Sequence, residues 1–247
     1  MKVALVCIAK NEDNYIQEWI DYNKKIGFDD IFIYQNDWRW SGFSENVFKI
    51  ELDGKNKQLI AYNSFLNQYK DEYDWVAFFD IDEFLVLKKH KNIKEFLTDY
   101  SDFDSIGINW VLFGNNGHKN VNLEYSVIKR FTKRQSDVNQ HIKSIVRLNK
   151  NISMLTHNPT SVWVNTEKEK KIGPFNINGS IDIAQINHYF CKTNEEFNEK
   201  IKRGRADHPT SIRTIDEYEH HNRNEVEDLT AYNFMYNDNN NILNTQG

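Results

Sequence analysis

Three acidic side chains, Asp80, Asp82 and Glu83, fall within four residues and directly follow the apolar run Trp75-Val76-Ala77-Phe78-Phe79. Apolar character resumes at Phe84-Leu85-Val86, so the acids interrupt a segment that otherwise belongs in a core. Carboxylates this close repel one another unless protons or a cation compensate. Hard oxygen ligands of this kind favour Mg²⁺ or Mn²⁺. The Asp-x-Asp spacing alone is weak, because the chain has 19 aspartates and Asp102-Phe103-Asp104 repeats it. Context separates the two. Asp80 ends a buried strand, where open α/β sheets bind ligands, whereas Asp102 and Asp104 sit among polar residues that read as a solvated turn.

The elements that must position these acids follow from hydrophobic periodicity. Residues 3–9 form a continuous apolar run, as in a central strand covered on both faces. Within 13–26, Tyr15, Ile16, Trp19, Ile20 and Ile26 recur at helical spacing, and Gly27 follows as a helix-terminating residue. Residues 31–34 are a second strand, so the segment is a β-α-β unit with a right-handed crossover. A helix over 56–70, a strand over 75–79, a helix at about 92–100 and a strand at about 104–110 continue the pattern. The carboxyl ends of the first three strands are expected to converge and gather Lys10, Asp37 and Asp80 around one crevice. From 111 to 187, short β-like pieces (125–131, 142–148, 161–164, 181–187) alternate with polar loops. Helices are expected at 193–203, roughly 211–222 and 224–236, and residues 237–247 are expected to fray. The expected fold class is α/β: a mostly parallel, Rossmann-like sheet flanked by helices, with a mixed region and a helical C-terminal end. One domain over 1–247 is expected, with a nucleotide-binding half at 1–110 and an acceptor-side half at 111–236.

Composition bounds the partners. With 39% hydrophobic and 27% charged residues, the chain reads as soluble and globular. A net charge of −5 with interspersed signs offers no basic stripe for nucleic acid. The two cysteines, Cys7 and Cys191, are distant and lack metal-ligand spacing, so they read as free buried thiols in a reducing compartment. The short apolar start meets Lys10 with no small-residue cleavage site after it, and no stretch has the roughly 18 apolar residues of a membrane span. A cytoplasmic location is expected, with at most peripheral association at the inner membrane face.

A wider set of residues carries a resemblance. Ala9-Lys10-Asn11-Glu12 is followed by Tyr15-Ile16-Gln17-Glu18-Trp19, Tyr22-Asn23 and Gly27-Phe28-Asp29. In order come Gln58, Trp75, the run from Phe78 to Leu85, Trp110-Val111-Leu112-Phe113-Gly114 with Gly117, Lys143 to Arg147, and His157. Asn187-His188-Tyr189, Glu196-Phe197, Lys200 and Arg203-Gly204 close the series. Over roughly residues 3–207 the chain resembles family 2 and family 92 glycosyltransferases. The resemblance implies a GT-A fold. It also implies transfer of a sugar, hexosyltransferase-like and by inversion, from a nucleotide-sugar donor, a UDP-sugar being expected, to a saccharide or lipid-linked glycan acceptor. Its family-level setting is assembly of capsule, lipopolysaccharide or another surface polysaccharide.

The resemblance also implies roles. Asp80 would touch the ribose or the metal, Asp82 would ligate a divalent ion bridging to the donor diphosphate, and His188 would be a late second ligand. Lys10, Asn11 and Glu12 would face base and ribose. Lys192, Lys200, Arg203 and Arg205 would add positive charge beside the phosphates. Apart from the resemblance, the exposed-looking loop Gly114-Asn115-Asn116-Gly117 points to Trp110 and Phe113 as sugar-stacking residues on the acceptor side. Plainer readings stand beside these: a hydrogen-bonded structural His188, a Glu12 that favours a helix N-terminus, a solvated basic helix face, and aromatic residues that belong to the core. An inverting transfer also needs a base for the acceptor hydroxyl. Glu83, Asp137, Asp182 and Asp207 are candidates, and none occupies a distinctive position, which leaves retention open too. Two other functions share the motif. One is a non-catalytic nucleotide-sugar or glycan-binding module of the same fold. The other is a haloacid-dehalogenase-type phosphatase, against which Glu83-Phe84 and the late position of the acids argue.

Overall fold

A computed structural model describes residues 1–124, 126–148, 151–205 and 212–237. The first half comprises β1 (Val3–Ala9), α1 (Ile16–Ile26), β2 (Asp30–Gln35), β3 (Val47–Glu51), α2 (Gln58–Gln68) and β4 (Trp75–Phe78). These four strands are parallel in the order β3-β2-β1-β4, the arrangement of a mononucleotide-binding half. Alternation along β1 explains its unbroken apolar run. Val3, Leu5 and Cys7 pack on the α1 side, and Ala4 and Val6 pack on the α2 side, as the two-residue period of a strand requires. Helix α1 ends at Gly27, whose φ of 105° lets its N–H reach the carbonyls of Asn23 and Lys24. It is fixed on the sheet by Trp19 Nε1, which donates to the Glu83 carbonyl at 2.9 Å, and by the Tyr22 hydroxyl, which donates to Leu85 at 2.7 Å. Large buried rings thereby keep their polar ends satisfied.

The second half adds β5 (Glu83–Leu87), α3 (Ile93–Thr98), β6 (Ser105–Leu112), α4 (Val127–Arg130), β7 (Lys133–Arg134), β8 (Ile142–Arg147), β9 (Trp163–Val164), β10 (Lys170–Lys171) and β11 (Ala184–His188). Helices α5 (Asn194–Arg203), α6 (Ile215–His221) and α7 (Thr230–Tyr236), with β12 (Val226–Glu227) between the last two, complete the described chain. Strand β8 lies antiparallel between β4 and β6, so one sheet runs β10-β9-β6-β8-β4-β1-β2-β3. Strand β11 pairs antiparallel with β5 and parallel with β6. The sheet is therefore parallel in its first half and mixed in its second, as expected for this α/β class. No helix among the described residues is long and apolar enough to cross a membrane.

Three local expectations are corrected. Of the segment expected to be β-like over 125–131, the described residues 126–131 are not: Val127–Arg130 is helical, capped by Ser126, whose side chain accepts from Lys129 N–H. The Glu18 carboxylate accepts the N–H groups of Val127 and Ile128 at 2.8 and 3.1 Å, so a contact from α1 decides the helix start. Strand β3 was not expected, because its residues are half-buried or exposed without clean alternation. The helix expected over 224–236 begins at Thr230, since Val226 and Glu227 pair with β7 instead. Residues 238–247, expected to fray, lie outside the described residues.

Candidate active site

The three acids form a closed turn between β4 and β5. The Asp80 carbonyl accepts the Glu83 N–H at 3.0 Å, and Glu83 Oε2 accepts the Asp80 N–H at 2.9 Å. Behind the turn stands Lys143 of β8, wholly buried, with Nζ 2.8 Å from Asp80 Oδ2 and 3.4 Å from Glu83 Oε2. The other Asp80 oxygen accepts from Gln58 Nε2 at 3.2 Å and from the Tyr62 hydroxyl at 3.3 Å, both on α2. Burial pushes the Glu83 carboxyl well above the usual range, and Lys143 only partly offsets it. One ammonium is thus shared by two carboxylates, of which the buried Glu83 is the one disposed to hold a proton. Glu83 is sealed away and cannot reach an acceptor hydroxyl as a base.

Asp82 points the other way, toward the second half of the chain. Register in the β11–β5 pair sets His188 opposite Glu83, and the Tyr189 N–H donates to the Asp82 carbonyl at 2.8 Å. His188 Nε2 consequently lies 3.7 Å from Asp82 Oδ1, although 106 residues separate them in the chain (188 − 82). Lys200 Nζ, from α5, is 2.6 Å from Asp82 Oδ2 and also donates to the Phe190 carbonyl. Burial would raise the Asp82 carboxyl, but the Lys200 ammonium, with Lys192 behind it, holds it well below the usual carboxylate range. Burial drives His188 well below its ordinary value, so the ring is neutral near pH 7 and has a lone pair to give.

An ionised carboxylate oxygen and a neutral imidazole nitrogen at this separation suit a Mn²⁺-type ion. Among the described residues no group of three His, Cys, Asp or Glu side chains forms a complete cage. The pair Asp82 and His188 would supply two ligands of a divalent-cation site and no more, with Lys200 Nζ 2.6 Å from the other Asp82 oxygen.

Basic side chains of mixed-charge helix α5 and of Lys192 before it flank this pair, each facing a carboxylate. Helix α5 starts with a reciprocal capping box between Thr193 and Glu196, which stabilises an isolated helix end. Glu196 also accepts both guanidinium arms of buried Arg130 at 3.0 Å and a hydrogen bond from the Tyr15 hydroxyl. So anchored, the helix turns Lys200 and Arg203 inward together. Arg203 donates to the Lys10 carbonyl at 2.7 Å and pairs with Glu12, and Lys192 Nζ sits 3.7 Å over the Tyr15 ring. Glu12 does not cap α1 with its side chain. Its backbone carbonyl accepts from Tyr15 and Ile16, and its carboxylate faces Arg203. A cavity of about 460 Å³ opens here, lined by Asn11, Glu12, Tyr15, Lys192, Lys200 and Arg203 among others. At the neighbouring strand ends, Lys10 Nζ meets Asp37 at 3.0 Å, and Asp37 also accepts the Gly54 N–H. Asn11 and Asp37 have φ of 54° and 47°, in the left-handed region that Asn and Asp tolerate. Lys10, Asp37 and Asp80 thus share the carboxyl edge of β1, β2 and β4.

The two aromatic candidates part company. Trp110 lies beside His188, ring centroids 4.3 Å apart, and also against His141 and His157 at 5.0 and 5.1 Å. Phe113 enters the core against Tyr189 and is 1% exposed, so it presents no face to a sugar. The loop after it is open only at Gly117, Asn115 and Asn116 being half-buried. The N–H groups of Asn115 and Asn116 donate to the side chains of Asn222 and Asn224, and a Cβ on Gly114 would meet the Arg223 carbonyl at 2.3 Å.

Among the remaining acids, Asp137 and Asp182 are exposed. Asp182 precedes β11 and so lies about 20 Å along the strand from His188. Asp207 is outside the described residues. Arg205 pairs with Glu217 instead of turning toward Asp82. Residues to which sequence reasoning gave no role are Tyr62, Lys143, His141 and His157. A lysine between Ile142 and Ile145 on a buried strand was the available signal for Lys143.

A parallel half sheet, an acidic turn at its carboxyl edge and a mixed-charge helix opposite have counterparts in known sequences. The chain is 24% identical over 214 residues to a glycosyltransferase family 92 protein of Arabidopsis thaliana, covering 78% of this chain and 36% of that one. It is 27% identical over 216 residues to one of Oryza sativa subsp. japonica, covering 81% and 35%. The chain thus spans little more than a third of the length of the curated relatives it matches. Among solved structures, Staphylococcus aureus TarS gives a TM-score of 0.35 at 16% identity over 60% of this chain and 28% of that one. HddC from Yersinia pseudotuberculosis gives 0.35 at 8% identity over 59% and 76%. Neither likeness bears on the site. The sequence model of glycosyltransferase family 92 matches residues 35–226, a span that takes in the acidic turn, Lys143, His188 and α5. By that match, over more than half its length, the chain belongs to glycosyltransferase family 92.

Proposed function

We propose that this chain transfers a hexosyl group from a nucleotide-sugar donor, a UDP-sugar, to a saccharide or lipid-linked glycan in surface polysaccharide assembly. The observation that carries the reading is the meeting of Asp82 and His188 at 3.7 Å beside Lys200, Lys192 and Arg203. Lys200 is held by Asp82, and Lys192 and Arg203 face Glu12, so a donor diphosphate would draw these three cations from the carboxylates that hold them here. Asp82 and His188 would hold a divalent cation, Mn²⁺ or Mg²⁺, which when bound supplies Lewis-acid charge to the departing diphosphate. The chain's own residues do the rest. Lys200, Lys192 and Arg203 receive negative charge that grows on the leaving group, as preorganised cations in a partly dry site. Asp80, clamped by Lys143, Gln58 and Tyr62, presents a fixed carboxylate edge suited to ribose hydroxyls. Trp110, buried and enclosed by His141, His157 and His188, backs the acceptor side and holds those rings in place. Family membership speaks against the phosphatase reading, and an intact Asp82–His188 pair speaks against a binding-only module.

The test is a melting-temperature panel with UDP-, GDP- and dTDP-sugars, with and without Mn²⁺, followed by turnover of the donor that stabilises most. Stabilisation by a UDP-sugar only in the presence of Mn²⁺, lost in Asp82→Ala, is the expected result. Equal stabilisation of Asp82→Ala would sink the assignment.

A further inference from the structure

Three histidines surround Trp110, and one of them is held as a base is held. The His141 ring stacks on the indole at 5.0 Å with an interplanar angle of 23°. Its Nδ1 lies 2.9 Å from Asn139 Oδ1. The same Asn139 atom accepts the His141 backbone N–H at 3.0 Å. A backbone N–H can only donate, so that atom is the amide oxygen and not the nitrogen. An amide oxygen in turn requires Nδ1 of His141 to carry the proton, which leaves the lone pair on Nε2. The tautomer is therefore fixed by geometry, in the way that a base is fixed by its orienting partner in acyl-transfer enzymes.

The surroundings are those of a polar ligand site. Trp110 Nε1, His157 Nδ1 and His188 Nδ1 are buried and have no hydrogen-bond partner among the described residues. Buried polar atoms are ordinarily paired, and three orphans about one indole ask for a ligand rich in hydroxyls. His141 itself is half-buried, its ring set between Trp110 and Phe175. Among the described residues the acid candidates fail on position: Glu83 is sealed against Lys143, Asp82 is paired with Lys200, and Asp137 and Asp182 are on the exterior, while Asp207 lies outside the described residues.

We infer that His141 is the general base of the transfer, taking the proton of the acceptor hydroxyl on Nε2 while Asn139 holds its ring. This rests on the glycosyl-transfer reading above. In the step, the acceptor oxygen forms a bond to the anomeric carbon. The bond from that carbon to the diphosphate oxygen breaks, and its electron pair leaves with the diphosphate. The hydroxyl proton moves to His141, which becomes imidazolium and returns the proton to solvent. The charged and titratable groups around it are few. His157 faces it across 5.7 Å between ring centroids, Lys143 lies beyond His157, and His188 with Asp82 lies on the other side of Trp110. Burial, then Lys143 and His141, pulls His157 down to about 3, so His157 stays neutral and does not compete for the proton. Burial also lowers His141, so it is neutral at pH 7.

The experiment measures transfer by the full chain against pH, with His141→Gln, His141→Ala and Asn139→Asp. Loss of a general base lowers transfer by about 10²- to 10⁴-fold. His141→Gln is expected to fall in that range while its Mn²⁺-dependent melting shift with nucleoside diphosphate equals that of the wild type. Added imidazole is expected to restore part of the transfer in His141→Ala. Asn139→Asp sets a carboxylate beside the imidazole and is expected to move the acid limb of the rate profile to higher pH. An active wild type with His141→Gln within threefold of it, or an unmoved acid limb in Asn139→Asp, overturns the inference and leaves the transfer reading standing. A wild type that turns over no nucleotide sugar overturns both.

Discussion

Replacing Lys143 with methionine removes the one ammonium that faces Asp80 and Glu83, at 2.8 and 3.4 Å, and leaves nearly the same volume filled. Both the lysine and Glu83 are 0% exposed, so water cannot replace the lost charge. Removing one partner of a buried ion pair costs about 3–5 kcal/mol. At about 2–4 °C per kcal/mol for a chain of this size, the midpoint should fall by roughly 6–20 °C. The sign of the pH dependence follows from Glu83. Its folded carboxyl is already raised by burial, and without Lys143 it is raised further, so folding near neutral pH requires it to bind a proton that the unfolded chain lacks. That requirement eases as pH falls, so the gap between variant and wild type should be widest at pH 8 and narrow toward pH 5. Urea and thermal unfolding at several pH values measure it. The double variant Glu83→Gln, Lys143→Met should be more stable than Lys143→Met alone at pH 8, because neutral replacements of buried pairs are often tolerated. A single-variant loss below about 1 kcal/mol at pH 7, where a broken buried pair should cost several, would refute the reasoning. So would a gap that does not change with pH.

Other outcomes follow from the same geometry. Trp110→Leu should raise KM for the acceptor and leave the melting shift with nucleoside diphosphate unchanged, as steady-state kinetics and thermal shift would register. In the metal-free protein the His188 ring should remain neutral at pH 6, because burial holds it well below 6.5; NMR titration of the ring resonances checks this. Gly27→Ala should lower stability by about 1 kcal/mol, since alanine pays for a positive φ that glycine adopts freely, and denaturant unfolding measures it.

The first half of the fold was legible because its signals are local. Val3–Ala9 and Trp75–Phe78 are apolar on both faces, and α1 carries its apolar stripe at helical spacing up to a glycine that can take φ of 105°. Delivery of His188 by a strand was legible in the same way, from the apolar residues before it. What local pattern hid is set by distant partners. Phe48 of β3 is 46% exposed yet stacks on Phe32 at 4.8 Å, so nothing in its own segment marks a strand. The start of α4 depends on Glu18, more than a hundred residues earlier. Lys143 becomes part of the site only because β8 inserts between β4 and β6. The difference between Trp110 and Phe113 was available in principle. Two-residue alternation puts positions 110 and 112 on one face and 111 and 113 on the other, so only one of the two aromatics can reach the site. The choice of face needed the β11 pairing, which no single segment announces.

The central claim is that Asp82 and His188 act as one site for donor turnover, joined by folding and not by sequence. The most direct measurement is nucleotide-sugar turnover by the full chain over a Mn²⁺ titration, for the wild type, Asp82→Asn and His188→Ala, with folding checked by circular dichroism. The account predicts turnover that rises with Mn²⁺ in the wild type and falls by more than about 100-fold in both variants, as for loss of a principal charge-stabilising group. Wild-type turnover indifferent to Mn²⁺, or a His188→Ala chain as active as the wild type, would contradict it.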